Sequence, residues 1–213
     1  MTTLGADGRE SSRGGTVVLV TSVGGTTGSR AAAVALACAA SEPDRPALLI
    51  DLDQGRVPRS SLIATAAARK LEERLVVHLP DAGVASRGTL CQLKLSADPS
   101  GLDGVAAVLP AVRGSVAVIH LPPRLLQSIL DDSRIRPTSA LLRADLAQDR
   151  ALTALAVRDL IDRGLRVAVL KCPIGWLAAR SSLFGVMPGG NGGLPARMAG
   201  RLLALENGVA ALT

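Results

Sequence analysis

Short apolar runs recur along the chain with helix-forming segments between them, and this alternation restricts the fold more than any other feature. The runs fall at residues 16–21, 47–51, 115–121, 139–143 and 165–170. Both alternating faces of each run are largely apolar, which suits a strand covered on two sides rather than one facing water. Between them, residues 29–40, 60–75 and 148–163 carry good helix formers. Residues 76–113 are the least regular part, with a strand expected at 90–95 and a short helix at 102–109. A short strand at 183–187 and a closing helix at 194–206 complete the pattern. Strands alternating with helices imply an α/β fold, a three-layer sandwich with a mostly parallel central sheet.

A chain of 213 residues suits one well-buried core. Aromatic residues make up only 1% of it, so Ala, Val, Leu and Ile must do the packing. The longest apolar run, residues 31–40, is about half of what crosses a bilayer. The start of the chain mixes Asp7, Arg9 and Glu10 with Gly and Ser and lacks the apolar core of a leader peptide. Residues 1–14 are expected to be a disordered tail, 15–213 a single domain, and the protein cytoplasmic. Cys38, Cys91 and Cys172 lie far apart, and only His78 and His120 could join them, so no metal site is expected. Cys38 falls in an Ala-rich helical pattern and reads as packing filler. The net charge of +6 rests almost wholly on arginine, the lysines being Lys70, Lys94 and Lys171. A positive balance suits acidic partners, but the arginines are scattered, and no aromatic interleaving supports nucleic acid.

The first run opens into a glycine-rich turn, Gly24, Gly25, Thr26, Thr27 and Gly28, before Ser29 and Arg30. A phosphate-binding loop needs glycines so that backbone N–H groups can converge on the anion. It also needs a lysine for the β and γ oxygens and a hydroxyl for magnesium. With Gly28 aligned to the glycine before that lysine, Ser29 takes the lysine position and Arg30 the hydroxyl position. The residues leave two readings open: an anion cradle, or a tight strand-to-helix turn with Ser29 near the helix cap. Asp51 and Asp53 either cap the turn that follows them or serve a site, and His120 reads as a hydrogen-bonded core group or as a ligand. Arg30 meets an anion or solvent, and Arg124, Arg134 and Arg136 face nucleic acid or water. Trp176 and Phe184 read as packing residues around Arg180.

The turn, the stretch Ala-Leu-Leu-Ile-Asp-Leu-Asp-Gln-Gly at 47–55, and Val-Ala-Val-Ile-His-Leu-Pro-Pro at 116–123 together resemble the ParA/MinD family of deviant Walker ATPases. Residues 143–172 and Val-Met-Pro at 186–188 extend the resemblance over about residues 15–207. It implies a P-loop NTPase-like fold, with nucleotide held by Gly24, Gly25, Thr26, Thr27, Gly28, Ser29, Arg30 and Asp51. Asp53 would order the attacking water if the protein were active. The departures are as telling as the match. The family's signature lysine falls on Gly24, the P-loop lysine on Ser29, and the magnesium hydroxyl on Arg30. The switch II aspartate falls on His120 and the adenine-reading asparagine on Lys171. A charge-assisted phosphate contact contributes about 1.5–3 kcal/mol, so these losses remove about 4–8 kcal/mol of nucleotide affinity.

No ATP hydrolysis, no catalytic residue and no required cofactor are therefore expected, with ATP or ADP bound at most weakly. The degenerate loops are most similar to the TadZ/CpaE branch, which is associated with placing pilus or secretion machinery at a cell pole. The resemblance implies a scaffold or localisation factor working through protein partners and a homodimer. Two alternatives stand beside it. One is an active positioning ATPase in which Arg30 or a residue in trans replaces the lysine. The other is a partition protein that binds nucleic acid.

Overall fold

The computed structural model describes residues 15–24, 28–53, 63–112, 114–144, 150–171 and 209–212. Its strands are β1 (Thr16–Ser22), β2 (Ala47–Asp51), β3 (Gly83–Arg87), β4 (Leu90–Lys94), β5 (Val116–His120), β6 (Ser139–Ala144), β7 (Arg166–Lys171) and β8 (Val209–Leu212). They form one sheet in the order β3-β4-β2-β5-β1-β6-β7-β8. All neighbours run parallel except β3 and β4, which form an antiparallel hairpin at the edge. The helices are α1 (Ser29–Ala40), α2 (Ala66–His78), α3 (Pro99–Val108), α4 (Leu126–Asp131) and α5 (Arg150–Asp162).

The two-residue period of a strand splits each apolar run between two cores. Val18, Val20, Leu49, Val118 and Leu141 pack with Ala32, Ala33, Leu36 and Ala37 of α1 on one face. Leu19, Leu48, Ile50 and Ile119 join Leu71 and Leu75 of α2, Val105 of α3, Ile129 of α4 and Leu160 of α5 on the other. The expected three-layer α/β sandwich with a mostly parallel sheet is thus the observed architecture. Alanines on the buried side of α1 let that helix lie close to the sheet, as a chain almost without aromatics requires.

Several boundaries differ from expectation, each for a local reason. The second helix, expected over 60–75, starts at Ala66 and runs to His78, because Thr65 caps it by accepting the Ala68 amide at 3.3 Å. The helix expected at 102–109 starts at Pro99, behind an Asp98 cap whose carboxylate accepts the Gly101 amide. β3 was not foreseen. Its run is short and lacks alternation, and it is held by a two-residue turn with Gly88 at a φ of 57°. Nor were α4 and β8 expected. Cys38, read as filler, is exposed on α1. The expected tail at 1–14, strand at 183–187 and helix at 194–206 lie outside the described residues, as do Cys172, Trp176, Arg180 and Phe184. Among the described residues, no helix is long and apolar enough to cross a membrane.

Two outcomes follow from this packing. A methyl at Gly101 would run into the backbone carbonyl oxygen of Ser96, with Leu52 also close. Backbone cannot give way cheaply there, so Gly101→Ala should lower the unfolding free energy by about 3 kcal/mol in a urea titration. Burial, with a smaller contribution from Glu72, pushes the Cys91 thiol up to about 12. Iodoacetamide at pH 8 should therefore modify Cys38 in the native protein and Cys91 only after denaturation, as read by peptide mass mapping.

Candidate functional site

Three adjacent strands end in charged or titratable residues at the same level. The register sets Asp51 of β2 opposite Lys94 of β4 on one side and His120 of β5 on the other. Each stands two positions beyond a residue of the α1 core (Leu49, Val118), or four in the case of Leu90 on β4, so all three share the face covered by α1. On β6, Arg143 stands two positions past Leu141 on that same face and is fully buried. The chain runs from β1 to one side for β2 and β4 and to the other for β6 and β7, so the strand order reverses at β1. The carboxyl edge beside such a reversal is where open α/β sheets place their ligands.

Above this edge the glycine turn delivers α1. Gly24 has a φ of 65° and Gly28 a φ of 95°, both in the left-handed region that glycine enters without a side-chain clash. Gly28 is the N-cap, and it offers no side chain to the helix start. Gly25, Thr26 and Thr27 lie outside the described residues. Ser29 opens α1 and is buried, while Arg30 reaches outward with its side chain 54% exposed.

These groups bond to one another. Arg30 Nε donates to Asp51 Oδ2 at 2.7 Å. His120 Nδ1 lies 2.9 Å from Asp51 Oδ1, and Ser29 Oγ lies 3.0 Å from His120 Nε2. Lys94 Nζ, also buried, stands 3.5 Å from Asp51 Oδ2, within ion-pair range but without a hydrogen bond. The Asp53 amide donates to Asp51 Oδ1 at 3.1 Å, so Asp51 also caps the turn after β2. Burial pushes the Asp51 carboxyl up. The His120 hydrogen bond and charge, then Arg30 and Lys94, outweigh it and hold the group well below the usual carboxylate range. Because a carboxylate only accepts, Nδ1 of His120 carries the proton of that contact.

The site residues expected from sequence divide accordingly. Ser29, Arg30 and Asp51 meet in one cluster with His120, and Gly24 and Gly28 shape the turn beside it. The side chain of Asp53 enters none of the contacts described above. Lys94 and Arg143 were not singled out as site residues, although Lys94 ends β4 in the way Asp51 ends β2 and Arg143 is the last residue but one of β6. Arg134, weighed as a nucleic-acid contact, is instead bonded to Asp103 and Asp132, each at 2.7 Å. Two positions of the aligned phosphate loop are occupied by groups already bonded within the protein. The residue in the lysine position is a serine bonded to His120, and the residue in the hydroxyl position is an arginine committed to Asp51. Among the described residues no cluster of His, Cys, Asp and Glu could hold a metal ion.

No protein-family model and no curated protein matches the chain. Among solved structures it is similar to the MinC:MinD cell division protein complex of Aquifex aeolicus, at 16% identity and a TM-score of 0.46, over 78% of this chain and 73% of that one. It is also similar to the Zn(II)-bound YjiA GTPase of E. coli, at 13% identity and a TM-score of 0.41, over 79% of this chain and 54% of that one. Likeness at this level carries no functional argument, and the site is read from its own side chains.

Asp51→Asn tests the centre of the cluster. Removing the carboxylate leaves Arg30 and Lys94 facing each other without a counter-charge, and about 3 kcal/mol of stability should be lost at pH 7. The folded carboxyl lies below its unfolded value of about 3.9, so its contribution is complete above that pH and disappears as pH falls through the folded value. The gap in urea midpoint between wild type and variant should hold from pH 7 to about 5, begin to narrow below about 4, and vanish only as pH falls through the folded value.

Proposed function

We propose that this protein is a degenerate relative of the ParA/MinD ATPases, similar to the TadZ/CpaE branch, that hydrolyses ATP weakly or not at all. It acts as a scaffold or localisation factor through protein partners, with a homodimer as its working form. The observation that carries this reading is the closed network at the carboxyl edge. In a nucleotide site, free cations and hydroxyls face the incoming phosphates. Here Arg30 and Lys94 face Asp51, and Ser29 and His120 face each other. A triphosphate would have to compete with Asp51 for Arg30 at 2.7 Å. Charge-assisted bonds of this kind are worth about 1.5–3 kcal/mol each.

Catalysis fares worse than binding. Phosphoryl transfer depends on positioned cations that take up charge on the equatorial and leaving oxygens. The network aims its two described cations at a carboxylate of the protein itself. A role in protein contacts has apolar surface at its disposal, since Val77 of α2 and Leu152 and Leu155 of α5 are exposed.

Calorimetric titration with ATP and magnesium tests the proposal. No binding tighter than about millimolar is expected, and phosphate release should stay at the buffer rate. Micromolar affinity or measurable turnover would overturn it.

A further inference from the structure

The Ser29–His120–Asp51 contacts, which the scaffold reading takes only as closing the edge to nucleotide, have a chemistry of their own. We infer that Ser29, His120 and Asp51 form a nucleophilic site for short acyl esters, with Ser29 as the nucleophile. Ser29 Oγ and His120 Nε2 are 3.0 Å apart, and His120 Nδ1 and Asp51 Oδ1 are 2.9 Å apart. Nucleophile, base and orienting carboxylate thus stand in the hydrogen-bonded order that acyl transfer requires, an order recognised by geometry and not by position in the chain.

Each member is held in the state its role demands. Asp51 is anchored by Arg30 Nε and by the Asp53 amide, so the carboxylate that orients its third partner, the His120 ring, is itself held in place. With Nδ1 turned to the carboxylate, Nε2 is the ring nitrogen that meets the Ser29 hydroxyl, and in the tautomer protonated at Nδ1 it is the atom that acts as general base. Ser29 itself opens α1, directly after Gly28 at a φ of 95°. The first intrahelical bond of α1 runs from the Ala32 amide to the Gly28 carbonyl. The amides of Ser29, Arg30 and Ala31 precede that bond, at the end of the helix that favours developing negative charge.

The chemistry closes without a further reagent. Ser29 Oγ bonds to the acyl carbon while its proton passes to His120 Nε2. The ester C–O bond then breaks, and the alcohol leaves with that proton. Water, deprotonated by the same nitrogen, attacks the acyl-serine, releasing the carboxylic acid and restoring the serine. Substrate size follows from burial. Ser29 is only 9% exposed, so a small acyl ester is the substrate with the least obstructed approach to it.

This activity goes beyond the scaffold proposal and does not involve nucleotide, so either can fail alone. The test exposes the intact protein to a small alkyl fluorophosphonate. Oγ forms a bond to phosphorus, fluoride leaves, and the adduct is located by peptide mass spectrometry. A single adduct on Ser29 is expected, together with slow hydrolysis of p-nitrophenyl acetate that Ser29→Ala abolishes. His120→Gln should slow labelling about 100-fold, the loss of a general base. Should His120→Gln fail to fold, the pH profile of labelling in the wild type replaces it: the rate should rise with pH as a single ionisation. An unmodified Ser29 after hours at millimolar probe would sink the inference. So would labelling of Ser29 no faster than that of exposed serines, or at a rate indifferent to both His120→Gln and pH.

Discussion

The carboxylate of Asp51 is the point on which the rest of this structure turns. It ends a central strand, and in one buried place it receives a guanidinium from α1, an imidazole from β5 and an ammonium from β4. Isolated burial would force such a group to take up a proton. Three surrounding donors and cations reverse that tendency. The arrangement also ties the glycine turn to the sheet, because Arg30 and Ser29 belong to the first turn of α1 while Asp51 and His120 belong to strands. A buried ion pair of this type is weak support for stability as such, since well-packed apolar residues often do as well. What it supplies here is position, fixing the register between helix and sheet edge.

Position at that edge is a consequence of topology. Parallel strands all deliver their last residues to the same side, and the reversal of strand order at β1 opens room there. In a phosphate-binding version of such an edge the cations point outward to an anion. In this chain Arg30 and Lys94 both turn to the same carboxylate, and Arg143 on the same face is fully buried. One architecture thus supports two opposite chemistries, and the difference lies in a few side chains rather than in the backbone.

The positive charge of the chain has a similar explanation. Arg134 is spoken for by Asp103 and Asp132, and Arg163 by Asp131 and Asp159. These exposed pairs link α3, α4, α5 and the turns between them, and each contributes little energy on its own. Among the described residues, Arg134 and Arg163 are thus not free guanidiniums available to a phosphate backbone.

Much of the fold is written in local pattern. Doubly apolar runs of Val, Leu and Ile determined β1, β2, β5, β6 and β7, and the Ala-rich stretch determined α1, because burial on both faces leaves no other use for such residues. The glycine turn and its missing lysine were equally plain. Cap chemistry was the weaker signal: Thr65 and Asp98–Pro99 moved two helix starts away from where apolar content alone put them. β3 had no pattern of its own and exists because β4 offers it an antiparallel edge. No local rule brings Lys94 to Asp51 or sets Ser29 against His120, 91 positions apart in the chain. Those meetings depend on strand order and register, which arise only when the whole sheet assembles, and so the tertiary structure alone decided what the charged edge binds.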